Sequence, residues 1–205
     1  MLSILLTLAI GTMTPVADPV PSSEAYPLDV CAVSGKKLGS MGKPIDFMHE
    51  GRQVRFCCRG CVPRFQKGPE KYLAEINKKI IEAQKKSYPV DHCLLSNEKL
   101  DESAKDMVVK NRLVRVCCGG CVKKINKDSE AVLKKLDAAI IQKQTKDYPL
   151  TKCVISEEDL GSMGPAKDVI VGNTLIKVCC PGCISKVTAD PAKFIEMVNS
   201  AKKSD

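Results

Sequence analysis

The sequence predicts an α+β protein built from three tandem modules of about 60 residues each. Three observations carry this. Tyr-Pro opens a segment at Tyr26, Tyr88 and Tyr148, spaced 62 and 60 residues apart (26 to 88, 88 to 148). A Cys-Cys-x-Gly-Cys block recurs at Cys57–Cys61, Cys117–Cys121 and Cys179–Cys183. Between opening and block, each copy carries two β-prone runs around a turn, and after the block an amphipathic helix. Self-similarity at a fixed period marks repeat architecture, so it is read before anything local. The module bounds are 26–87, 88–147 and 148–205.

Within each module the elements follow in order. A lone cysteine comes five residues after the tyrosine: Cys31, Cys93, Cys153. A serine follows three residues later: Ser34, Ser96, Ser156. In the third copy, Asp168–Val171 and Thr174–Val178 flank Gly172-Asn173, a turn dipeptide suited to a tight hairpin. The first copy pairs Ile45–Met48 with Gln53–Phe56 around Glu50-Gly51, and the second pairs Asp106–Val109 with Leu113–Val116 around Lys110-Asn111. The second strand runs directly into the cysteine block, whose fourth residue (Gly60, Gly120, Gly182) suits a tight turn. One helix per module follows. Asp190-Pro191 supplies an N-cap and an N1 proline ahead of Phe194, Ile195 and Val198. Asp128-Ser129 precedes Val132, Leu133, Leu136 and Ile140; Gly68-Pro69 precedes Tyr72, Leu73, Ile76 and Ile80. These i, i+3, i+4 spacings give one apolar face. The first two helices run on to the next Tyr-Pro, giving three beads joined by helices.

Composition explains why such beads need a staple. Of 205 residues, 44% are hydrophobic but only 4% aromatic, with no Trp; the second module has Tyr88 as its single aromatic. A domain near 60 residues buries only about 60% of its unfolded surface. A disulfide adds about 2–4 kcal/mol to such a scaffold, and a structural zinc site an apparent 10–16 kcal/mol or so. All 12 cysteines fall in the repeat, four per module, against only two histidines.

The cysteine spacing points to a metal. Two thiolates on one turn and a third from an extended segment upstream can face one cation, and such sites select Zn2+ or Cu+. The core triad expected is Cys31, Cys57 and Cys61, with Cys93, Cys117, Cys121 and Cys153, Cys179, Cys183 as its repeats. Cys58, Cys118 and Cys180 are second choices, because adjacent residues of a continuing strand point apart. Two other chemistries stay open here: structural disulfides, and thiol redox at the Cys-x2-Cys within the block.

Phe56-Cys57-Cys58-Arg59-Gly60-Cys61-Val62-Pro63-Arg64-Phe65, followed by Gly68-Pro69-Glu70-Lys71-Tyr72-Leu73, resembles the YHS and TRASH family of small heavy-metal-binding domains. The resemblance covers about residues 26–200. It implies a treble-clef-like zinc knuckle, a β-hairpin plus helix around Zn2+ or Cu+. It further implies a role in metal trafficking, buffering or resistance beside a metal-transport or efflux protein. The second copy departs most: Val116 and Ile125 stand where the family has Phe, and Ser129 where it has Pro. Where related knuckles place a second upstream cysteine, this chain has Ser34, Ser96 and Ser156, which implies three sulfurs and an open or water-filled position.

Other features bound the function. His49 and His92 do not recur between copies, so both are expected as solvated side chains. Met41 and Met163 recur in Gly-Ser-Met-Gly and are expected as gap-filling or loop residues, with a thioether role for Cu+ the sharper reading. Net charge is +8, but its lysines alternate with acidic residues on helix faces, and no aromatic stacking platform accompanies them, so no nucleic-acid partner is expected. No Cys-His pair, acidic pair or phosphate loop recurs, so the chain reads as non-enzymatic. Leu2–Ile10 is too short to span a bilayer and fits a signal-peptide core, despite no Lys or Arg before it. The expectation is a signal peptide at 1–17, a linker at 18–25, an exported periplasmic or extracellular protein, and no stable membrane span once the signal is cleaved.

Overall fold

A computed structural model describes Ser22 and residues 24–202. The signal-like run therefore lies outside the described residues. Within them the chain is α+β, with three two-stranded antiparallel sheets: β1 (Ile45–His49) with β2 (Arg52–Phe56), β3 (Lys105–Val109) with β4 (Arg112–Val116), and β5 (Lys167–Val171) with β6 (Thr174–Val178). The registers match from copy to copy, Phe47 opposite Val54, Met107 opposite Val114, Val169 opposite Ile176. Gly172 and Asn173 both have positive φ (53° and 61°), as do Glu50 and Gly51 (48° and 71°). That is the conformation of a two-residue turn whose twist suits the strands it joins.

The helical part differs from the expectation of one helix per module. A short helix begins at the cysteine block, α1 (Cys61–Gln66), α3 (Gly119–Lys127) and α5 (Gly182–Ala189). A longer one follows: α2 (Pro69–Lys85), α4 (Ser129–Gln144) and α6 (Pro191–Ala201). The short helices span six to nine residues, too few turns to show a helical period in sequence. Packing, not propensity, holds them: Phe65, Ile125 and Val187 from these helices are buried in the three cores. The expected starts of the long helices stand, with one change. Pro69 and Pro191 occupy the first turn, and the Asp128 carboxylate accepts the Ala131 amide at 3.1 Å. The Asp190 side chain caps no amide; its carboxylate lies 3.8 Å from the Arg55 guanidinium instead.

The modules are not separate beads. The long helices α2 and α4 each pack on the hairpin of the next module, while α6 packs on its own. Gln84 of α2 donates from Nε2 to the Asn111 carbonyl (3.2 Å) and accepts the Leu113 amide (2.8 Å); Gln144 of α4 does the same with Asn173 and Leu175 (2.9 Å each). β4 and β6 are therefore covered on a second face by these helices. β2 has no preceding helix, yet all of Arg52–Phe56 is buried; there the Glu24–Tyr26 segment and Asn111 bond to Arg52 and Gln53. Core clusters cross module borders: Ile170 and Leu175 join the second core, and Ala25 joins the third. Glu24 and Ala25, at the end of the segment read as a linker, lie between modules. The Glu24 carbonyl accepts from the Gln53 amide and from Asn111 Nδ2.

The first core clusters the aromatics Phe47, Phe56, Phe65 and Tyr72, with centroids 5.4–6.2 Å apart; Met107, Val116, Ile125 and Val132 stand in these places in the second module, and Val169, Val178, Val187 and Phe194 in the third. Among the described residues no helix is long and apolar enough to cross a membrane.

Candidate metal centre

Each cysteine triad is assembled from three places. The upstream cysteine sits at the start of a tight turn pinned by a short bridge, Val30 with Lys37, His92 with Lys99, Lys152 with Asp159. The residue four positions on turns left-handed (Gly35 φ 68°, Asn97 62°, Glu157 61°), and its amide donates back to the cysteine carbonyl at 2.8–3.0 Å. The second sulfur comes from the end of the hairpin and the third from the first turn of the short helix.

The structure brings together Cys31, Cys57 and Cys61; Cys93, Cys117 and Cys121; and Cys153, Cys179 and Cys183, with all sulfurs of a set within 4.8 Å of one another. Cys61 lies 3.8 Å from Cys31 and 3.9 Å from Cys57; Cys121 lies 3.8 Å from both Cys93 and Cys117; Cys183 lies 3.9 Å from Cys179. A metal–sulfur bond of about 2.3 Å in tetrahedral geometry places its sulfurs about 3.8 Å apart. The free thiols thus stand where one ion would hold them. All twelve cysteines are free.

Cys58, Cys118 and Cys180 stay outside the triads. Cys58 lies 3.8 Å from Cys61 and also interacts with Cys57, and Cys180 lies 3.5 Å from Cys183 and also interacts with Cys179. Exposure follows the same division: Cys31, Cys57 and Cys61 are buried, Cys58 half-buried and Cys118 exposed.

The serine three residues after each upstream cysteine belongs to the site. Ser34 Oγ is 3.3 Å from Cys57 Sγ, Ser96 Oγ 3.2 Å from Cys117 Sγ, and Ser156 Oγ 3.3 Å from Cys179 Sγ. The sequence pattern flagged this position, but not that its hydroxyl touches the sulfurs.

Electrostatics prepare the upstream sulfur as a thiolate. Burial pushes Cys31 up, but the Ser34 hydroxyl and the backbone amides of Ser34, Cys57 and Val33 outweigh it and bring the thiol to about 7. The same balance holds Cys93 and Cys153 at about 6. Cys61 and Cys183 go the other way. Burial first, then the surrounding sulfurs, push each to about 12. The Glu98 side chain, above all, raises Cys117. Cys58 and Cys180 are lowered, chiefly by contact with Cys61 and Cys183.

Neither histidine enters a triad. His49 ends β1 rather than lying in the turn, and packs edge-on against Phe65 at 5.2 Å; His92 pairs with Asp91 at 3.2 Å. Met41 and Met163 fill no core gap, being 54% and 66% exposed. No family model matches the chain, and neither a curated protein nor a solved structure does.

Proposed function

We propose that this protein binds three soft or borderline metal ions, Zn2+ or Cu+, one in each cysteine triad, and that it does so without catalysing a reaction. The observation that carries the reading is the convergence of three sulfurs in every module, all within 4.8 Å and 3.8–3.9 Å along the measured edges to Cys61, Cys121 and Cys183. A metal uses all three sulfurs of a set. A disulfide within a set would use only two of them, so the convergence of three sulfurs favours coordination over stapling. The thiolates, the lowered upstream thiol and the apolar walls suit ions that prefer sulfur.

The hairpin, cysteine turn and helix of each module support the treble-clef-like zinc-knuckle reading and the resemblance to YHS and TRASH domains. The role this suggests is metal buffering, delivery or resistance, with a metal-transport or efflux protein as the partner. Native mass spectrometry of the reduced chain, before and after a chelator, tests the reading. Three ions per chain are expected, removable without any mass change that signals disulfides. A folded chain that takes up neither Zn2+ nor Cu+ overturns it.

A further inference from the structure

The fourth cysteine of each module and the recurring methionine are left unused by the triads. In the first module they open on one groove of about 630 Å3, bordered by Met41, Pro44, Cys57, Cys58, Arg59 and Val62. A triad cysteine, the outlying cysteine and a methionine thus border the same groove. We propose that Met41 and Cys58 form a transfer site for a soft monovalent cation, Cu+, which passes between this surface groove and the buried triad through the shared corner Cys61. The proposal rests on the triads binding metal.

Three features support it. Cys61 touches both sides of the route, 3.8 Å from Cys31 within the triad and 3.8 Å from Cys58 outside it. Met41 is half exposed on a loop bent by left-handed Gly39 and Gly42 (φ 86° and 98°). A long thioether held in water has no packing role there, and its rotatable bonds let it swing over the groove. One thiolate and one neutral thioether around a monovalent ion make an uncharged complex, whereas a divalent ion gains little from a thioether.

The third module repeats the parts. Cys180 is 3.5 Å from Cys183, and Met163 is exposed between left-handed Gly161 and Gly164 (φ 102° and 98°). The second module has Asp101-Glu102-Ser103-Ala104 in place of the methionine loop, so it serves as an internal control. The step is a ligand exchange. Cys58 gives its proton to water as its sulfur joins the ion, a departing triad sulfur takes a proton up, and the ion keeps its oxidation state.

The test loads the full reduced chain with Cu+ under anaerobic conditions and follows its transfer to bathocuproine disulfonate by stopped-flow absorbance. Two ions are expected to leave fast and one slowly. Met41→Leu with Met163→Leu, at exposed positions that do not threaten folding, slows the fast pair by about tenfold; Cys58→Ser with Cys180→Ser does the same. A single release rate for all three ions, or unchanged rates in the methionine variant, overturns the transfer site. So does a chain that binds Zn2+ but not Cu+. A chain that binds neither overturns the metal reading itself.

Discussion

Arg112 donates from Nε to Oδ1 of Asn173 at 2.9 Å, 61 positions further along the chain, and both residues are fully buried. The Arg112 guanidinium also meets the Asp137 carboxylate, and Asn173 Nδ2 donates to the Leu113 carbonyl at 2.7 Å. One module earlier the same parts recur. Arg52 donates to Asn111 Oδ1 and Asn77 Oδ1, and Asn111 Nδ2 donates to the Gln53 carbonyl. At the third position Thr174 replaces the arginine, and with Asn199, Pro27 and Gly172 it lines a small cavity of about 90 Å3. An arginine on one hairpin and an asparagine at the turn of the next thus bind the modules into one unit, and the last copy ends the series.

Removing this link should loosen the whole chain. Asn173→Ala leaves the buried Arg112 Nε and the Leu113 carbonyl without their partner, while Asp137 still meets the guanidinium, an expected loss of about 2–4 kcal/mol. Urea unfolding followed by circular dichroism checks it; an unchanged midpoint contradicts the linkage.

Gly172 is the second test of module packing. A Cβ there would lie 2.9 Å from Pro27 Cβ and 3.2 Å from Gln84 Nε2, on a residue with φ 53°. Gly172→Ala is expected to destabilise by about 1–3 kcal/mol. The corresponding change at Gly51, where nothing lies within 4 Å, should carry only the turn strain. Thermal melts of the two variants should therefore differ.

Each triad should load independently. Cys57→Ala is expected to lower the metal count from three to two, leaving the other modules loaded. At a free-ion concentration about a thousand times the dissociation constant, a bound ion stabilises its fold by about 4 kcal/mol. Melting in the presence and absence of a chelator should show a shift that shrinks in this variant. Three ions retained in Cys57→Ala would contradict the assigned ligands.

The metal-free chain should show a stability maximum near pH 9. Cys93 and Cys153, at about 6 against an ordinary 9, contribute stability that is present above pH 9 and lost as pH falls through 6. Cys61 and Cys183, raised to about 12, contribute stability present below pH 9 and lost as pH rises through 12. Unfolding midpoints measured across this range in the presence of a reductant check the sign on each side. Metal uptake should release protons near pH 7, because Cys61 and Cys183 are protonated there in the free chain and thiolates when they bind.

The repeat, the hairpins and the triad could be read before any coordinates because each has a local signature. A turn dipeptide such as Gly172-Asn173, a proline at the first turn of a helix, and a cysteine spacing all act within a few residues. The short helices escaped because α1 holds only six residues. The interface residues escaped for another reason: Gln84, Arg52 and Asn111 are polar, and a single polar residue in sequence reads as surface.

A three-fold repeated α+β unit and the sulfurs expected in each triad follow from periods and spacings along the chain, which need no knowledge of distant contacts. Folding alone brings the Ser34 hydroxyl to 3.3 Å from Cys57, because the upstream turn and the end of β2 are 23 positions apart in the chain. It also decided that the modules share buried faces. A buried arginine is stable only when a remote carboxylate or amide meets it, and that partner is chosen by folding rather than by neighbourhood in the chain.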